Sequence, residues 1–122
     1  MSIFDDLQEI WDLYVAAYRS GDAAGCAAIF TDDAEVHSPY GPPARGRAAI
    51  EALHGTWVQH VGPNKTLQVI KAGSSGDLAW TLATYSEGEA VGNGTSLSVF
   101  ERQAGGGWLI RMCSLNSTDA VG

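Results

Sequence analysis

Between residues 32 and 53 the chain reads DDAEVHSPYGPPARGRAAIEAL, which crowds His37, Ser38 and Tyr40 at a Pro-Gly corner. An imidazole titrates near neutrality and handles protons, and the two hydroxyls can orient a bound molecule. Strand alternation turns His37 away from Val36 and Ser38, toward the surface or a partner subunit. A bulge before Pro39 would reverse it and make it a candidate base. Ser38 and Tyr40 share the parity of the opposite face, while Asp32 and Asp33 belong to the turn that leads into the strand. His54 shares a helical apolar face with Leu53 and Trp57, where a core or rim histidine would also sit. In contact with Tyr14, it would hold a ligand oxygen or relay a proton. Tyr14 itself lies on an apolar stripe that a purely structural aromatic would equally fit.

Other chemistries find no support. His37, His54 and His60 lack a compact ligand spacing, and Cys26 and Cys113 are far apart, so no metal site is expected. No nucleophile elbow surrounds any serine. The GNG and AGGG runs are hairpin turns with no helix start after them, so they do not cradle phosphate. Arg45 and Arg47 frame a helix start and read as solvated charges.

The elements that must position these residues follow from periodicity. Ile3, Leu7, Ile10, Trp11, Tyr14 and Tyr18 recur at helical spacing, with Ser2 and Asp5 resembling a capping box and Gly21 as the stop. Asp22 caps a short Ala-rich helix expected to run to about Phe30. Residues 33–38 alternate as a strand. SPYGPPARG, with three prolines and two glycines, is expected to be loop. A third helix carries Ile50, Leu53, His54 and Trp57 and ends at VGPN. KTLQVIKA, LAWTLATYSEGE, TSLSVFERQ and WLIRMCSLN then read as strands separated by turns. Helices followed by an antiparallel meander make an α+β pattern. Trp80, Leu82 and Thr84 share one strand face, as do Met112, Ser114 and Asn116 on another. Turned inward, they would line an apolar pocket for a neutral, flat organic ligand. Ala79, Thr81, Ala83 and Tyr85 would then form a flat outer face. Alternatively these residues merely fill the interior, with Trp11 and Trp57 as plugs.

The 122 residues, with 45% apolar content, suit one compact unit spanning 1–122. A net charge of -7 repels phosphate backbones and anionic membranes, which argues against nucleic acid or membrane partners. The N-terminus is acidic and amphipathic rather than signal-like, so a cytoplasmic protein with two buried thiols is expected.

The segments YVAAYRSGDAAGCAAIFTDDAEV, the P-x-G that follows, GRAAIEAL, GDLAW and GGGWLIRM resemble the SnoaL-like and ketosteroid isomerase-like group. That group belongs to the nuclear transport factor two-like, cystatin-like superfamily. The resemblance spans about residues 5 to 118. It implies a cone-shaped α+β fold, in which three N-terminal helices pack in a curved, mixed, mostly antiparallel sheet around an apolar pocket. It also implies a homodimer through the sheet, a small hydrophobic organic ligand, and no metal or organic cofactor. The family's tyrosine donor falls on Tyr14, and the tyrosine that supports it falls on His54. The family's base falls on Ser38, and its second oxyanion donor on Val99, or on Ser98 if the loop shifts by one. Tyr18 and Trp57 complete the expected ligand contacts.

The expected carboxylates are therefore absent. Loss of a general base costs roughly 100- to 10,000-fold, and loss of one oxyanion donor roughly 100- to 1,000-fold. Efficient steroid isomerisation is rejected as the leading function on that ground. The leading expectation is a cofactor-independent isomerase, cyclase or dehydratase acting on a hydrophobic carbonyl compound. Tyr14 would polarise the carbonyl, and His54 or His37 would handle the proton. A non-catalytic binding protein and a dimeric association module whose tryptophans close the cone are the alternatives.

Overall fold

The structure, a computed structural model, describes residues 2–60, 64–88 and 92–119. Helix α1 (Ile3–Arg19) is capped by Ser2, whose Oγ accepts from the Asp5 N–H at 3.1 Å. It buries Leu7, Trp11, Tyr14 and Tyr18, the stripe that the spacing predicts. Gly21 takes a positive φ of 75°, which turns the chain away from α1. Helix α2 (Ala23–Ala27) is capped by Asp22 and ends before Phe30, which opens the first strand instead. Helix α3 (Arg47–His60) buries Ile50 and His54 and packs Leu53 and Trp57 against the core. Its start is pinned to the first strand, where Arg47 bonds the Phe30 carbonyl and the Asp32 carboxylate. Its expected stop over residues 61–63 lies outside the described residues, as does the His60 side chain.

Six strands, β1 (Phe30–Ser38), β2 (Gly41–Arg45), β3 (Thr66–Ser75), β4 (Leu78–Ser86), β5 (Gly94–Arg102) and β6 (Trp108–Ser117), make one sheet in the order β2-β1-β6-β5-β4-β3. Only the β1–β6 pairing is parallel among the described strands. Strand β2 corrects the reading of SPYGPPARG as loop. Val36 pairs with Ala44 and Glu35 with Arg45, so Pro42 and Pro43 sit on an edge strand, where a missing N–H breaks no ladder, while Pro39 stays in the turn.

The helices cover one face of the sheet, and the core lies between them. On β4 the covered face is Ala79, Thr81, Ala83 and Tyr85, the reverse of the expected orientation. Trp80 and Thr84 are exposed and Leu82 is half-buried on the outer side. Small residues are needed inside because Trp11 already fills that space. Its ring stands edge-on to Tyr14 and Phe100, and its Nε1 donates to Thr81 Oγ1 at 3.2 Å. Outside, Trp80 lies over Gly73, where a Cβ would come within 2.7 Å of the indole nitrogen.

Candidate functional site

The centre of the site is a buried pair on two helices. Tyr14 of α1 and His54 of α3 meet at 2.8 Å between Oη and Nε2. One turn back on α3, the Ile50 carbonyl lies 2.8 Å from His54 Nδ1 and can only accept, so Nδ1 carries the ring proton. Burial holds the His54 pKa down at about 4, which keeps the ring neutral. Nε2 is then an acceptor, and the Tyr14 hydroxyl donates to it. Burial also raises the Tyr14 phenol well above its ordinary range, so it keeps its proton. Tyr14 has one proton and has committed it to His54. Toward any ligand it offers lone pairs, which corrects the expectation that it polarises a carbonyl.

Tyr14, His54 and Trp57 border a cavity of about 20 Å³, room for roughly one water. Trp57 stacks edge-on to His54 at 5.0 Å, and Tyr40 packs edge-on to Trp57 at 6.2 Å. The Tyr40 hydroxyl reaches Tyr85 Oη at 2.8 Å, and Tyr85 in turn donates to the Asn116 carbonyl. Trp57 and Tyr40 thus close the interior from the α3 side.

A second buried pair reaches the same cavity through Lys65, which lines it, with Glu87 behind. Lys65 Nζ lies 3.0 Å from Glu87 Oε1, with both side chains almost fully buried. The ammonium also stands over the rings of Tyr18 and Tyr85, at 4.6 and 4.9 Å from their centroids. Burial lowers the Lys65 pKa, and the Glu87 charge opposes that shift. Tyr18 donates to the same Glu87 oxygen at 3.4 Å, which places Tyr18 behind the cavity rather than on its wall. Glu87 Oε2 and the Ser96 hydroxyl, which lines the cavity, are buried with no partner among the described residues.

The remaining expected residues lie elsewhere. His37 bonds Glu35 at 2.9 Å on the outer face, with its side chain 42% exposed. The register does shift between Val36 and Ser38, but that irregularity leaves His37 on the side of Glu35. Ser38 accepts from the Tyr40 N–H at the corner. Ser98 is buried beside the Cys113 thiol, which burial pushes up to about 11. Val99, Met112, Ser114 and Asn116 accompany Trp80, Leu82 and Thr84 on the outer face, as the pairing Trp80–Val99–Met112 requires. Between Ile110 and Met112, Arg111 is an extra residue in the ladder, so Ile110 and Cys113 both face inward and the parity changes mid-strand.

Sequence reasoning missed Lys65, Tyr85, Glu87 and Ser96. A signal for the charged pair was present. Lys65 alternates with Leu67 and Val69, and Glu87 with Ala83 and Tyr85, so each charge, one residue outside β3 or β4, continues that strand's apolar parity.

Among the described residues no helix is long and apolar enough to cross a membrane, and no group of three potential ligands could hold a metal. The SnoaL-like domain profile matches residues 11–111. No curated protein matches the chain. Several solved structures share the fold. A cystatin-like domain of unknown function from Nostoc punctiforme is 20% identical, with a TM-score of 0.80, and the match covers 98% of this chain and 82% of that one. A ketosteroid isomerase-like protein from Erwinia carotovora atroseptica is 17% identical, with a TM-score of 0.75 and coverage of 96% and 97%. A putative calcium/calmodulin-dependent protein kinase type II association domain from Thiobacillus denitrificans is 15% identical, with a TM-score of 0.76 and coverage of 98% and 100%. Identities this low show the cystatin-like fold alone.

Proposed function

The chain belongs to the SnoaL-like domain family, and from that premise we propose that it binds a small, mainly apolar organic molecule beneath Trp57 and transfers a proton on it without a cofactor. The 2.8 Å contact between Tyr14 and His54 at the cavity carries this reading. A ligand hydroxyl, phenol or enol donates to the Tyr14 oxygen while Tyr14 donates to His54, giving a chain of three groups ending on a neutral base. A histidine held near pKa 4 is a weak base, suited to a proton in transit rather than one stored. Isomerisation, cyclisation and dehydration all use such a step. A polycyclic ligand does not fit a cavity of 20 Å³. Small ring compounds enter if Trp57 and Tyr40 swing outward.

The test is a thermal-shift titration with small phenols on wild type and Tyr14→Phe. Saturable stabilisation of the wild type that is lost in the variant supports the reading. Equal stabilisation of both leaves apolar binding without the relay, and no shift in either overturns it.

A second reading, association through the sheet, is favoured by the outer face. Leu78, Trp80, Leu97 and Met112 are all exposed there, a contiguous apolar patch that a monomer rarely leaves in water. A homodimer through this face is compatible with the proton-transfer reading, because the cavity lies on the other side of the sheet.

A further inference from the structure

We propose that Lys65 is a covalent site: its Nζ condenses with a small aldehyde or ketone in the cavity to form an iminium ion, with Glu87 moving the protons. The proposal rests on the preceding reading only in needing the cavity to admit a small molecule. Lys65 is 4% exposed, and it borders the cavity rather than packing away from it. Its closest charged neighbour is the carboxylate of Glu87, at 3.0 Å. The other oxygen of that carboxylate has no partner among the described residues and is free to hold a proton.

The step balances. The ammonium gives one proton to Glu87, and the nitrogen lone pair attacks the carbonyl carbon as the C=O π pair moves to oxygen. That oxygen takes up the second proton from nitrogen, giving a neutral carbinolamine. Glu87 protonates its hydroxyl, the nitrogen lone pair re-forms a double bond to carbon, and water leaves. The product is a protonated iminium beside a Glu87 carboxylate, so one cation and one anion are buried before and after. The charge change that makes buried ion pairs costly does not arise. The faces of Tyr18 and Tyr85 hold the iminium as they hold the ammonium. Burial also lowers the affinity of Lys65 for its proton, which raises the share of nucleophilic amine. An iminium is an electron sink, so proton loss beside the former carbonyl becomes easy with no metal or organic cofactor.

The experiment uses the intact protein, acetaldehyde and sodium cyanoborohydride at neutral pH, followed by peptide mapping. Lys65 and Lys71 are the two lysines of the chain, and Lys71 is exposed. The expected result is an ethyl group on Lys65 ahead of Lys71, suppressed by saturating phenol and absent from Lys65→Met. Glu87→Gln should slow the labelling of Lys65 by roughly 100-fold or more. Labelling of Lys71 and the N-terminus with Lys65 untouched overturns the proposal on wild type alone, whether or not Lys65→Met folds. Tyr14-dependent phenol binding with Lys65 unlabelled overturns the iminium and leaves proton transfer standing. Labelled Lys65 without Tyr14-dependent binding does the reverse.

Discussion

Tyr14 and His54 are joined by a buried hydrogen bond whose direction is set by a third group, the Ile50 carbonyl. Because that carbonyl fixes the tautomer, the tyrosine is donor to the histidine and acceptor toward the cavity. On the proposed function, the site would favour ligands that donate.

Replacing Tyr14 by Phe leaves Nε2 of His54 buried without a donor. We expect a loss of about 1–3 kcal/mol in stability, the cost of an unsatisfied buried acceptor. Urea unfolding of the two proteins measures it. A change below a few tenths would mean that water replaces the hydroxyl.

Acid should weaken the fold through His54. Its folded pKa of about 4 lies below the ordinary 6.5, so as the pH falls the unfolded chain binds the proton first. The stability it confers is intact above about pH 6.5 and is lost progressively toward pH 4, on the order of 3 kcal/mol in all. Melting curves of wild type and His54→Gln across that window isolate the contribution, and parallel pH profiles would refute it.

The Lys65–Glu87 pair should behave as an interdependent unit. Removing either partner strands a buried charge, and we expect Lys65→Met or Glu87→Leu to cost about 3–5 kcal/mol each. The double variant should recover most of that loss. A double-mutant cycle in denaturant gives the coupling. Additive losses would mean that the pair is wetter than its burial implies.

Leu97→Glu places a charge in the exposed apolar patch and leaves the core alone. We expect stability within about 0.5 kcal/mol of wild type per protomer, with the molecular mass in sedimentation falling from dimer to monomer. A monomeric wild type would remove the homodimer.

Much of the fold was legible in local chemistry. The stripe from Leu7 to Tyr18, the Ser2 and Asp22 caps and the strand-rich second half follow from period and capping, which depend on neighbours in the chain. Pairing of Tyr14 with His54 was expressible as a condition, since both lie on apolar helical stripes. It was not derivable, because 40 residues separate them.

Tertiary packing decided the rest. Which face of β4 turns inward depends on Trp11 occupying the space above Thr81, so the small residues went in and Trp80 went out. Alternation alone gives two equivalent faces and cannot choose between them. The extra residue at Arg111 changed parity within β6 through its pairing to β5, and an edge position made a strand of Gly41–Arg45 despite its prolines. Glu87, just past β4, meets Lys65, just before β3, because the two strands pair side by side in the sheet. Periodicity fixes what each element is, because it is a property of consecutive residues. Only packing sets which groups meet, because burial is shared among residues far apart in the chain.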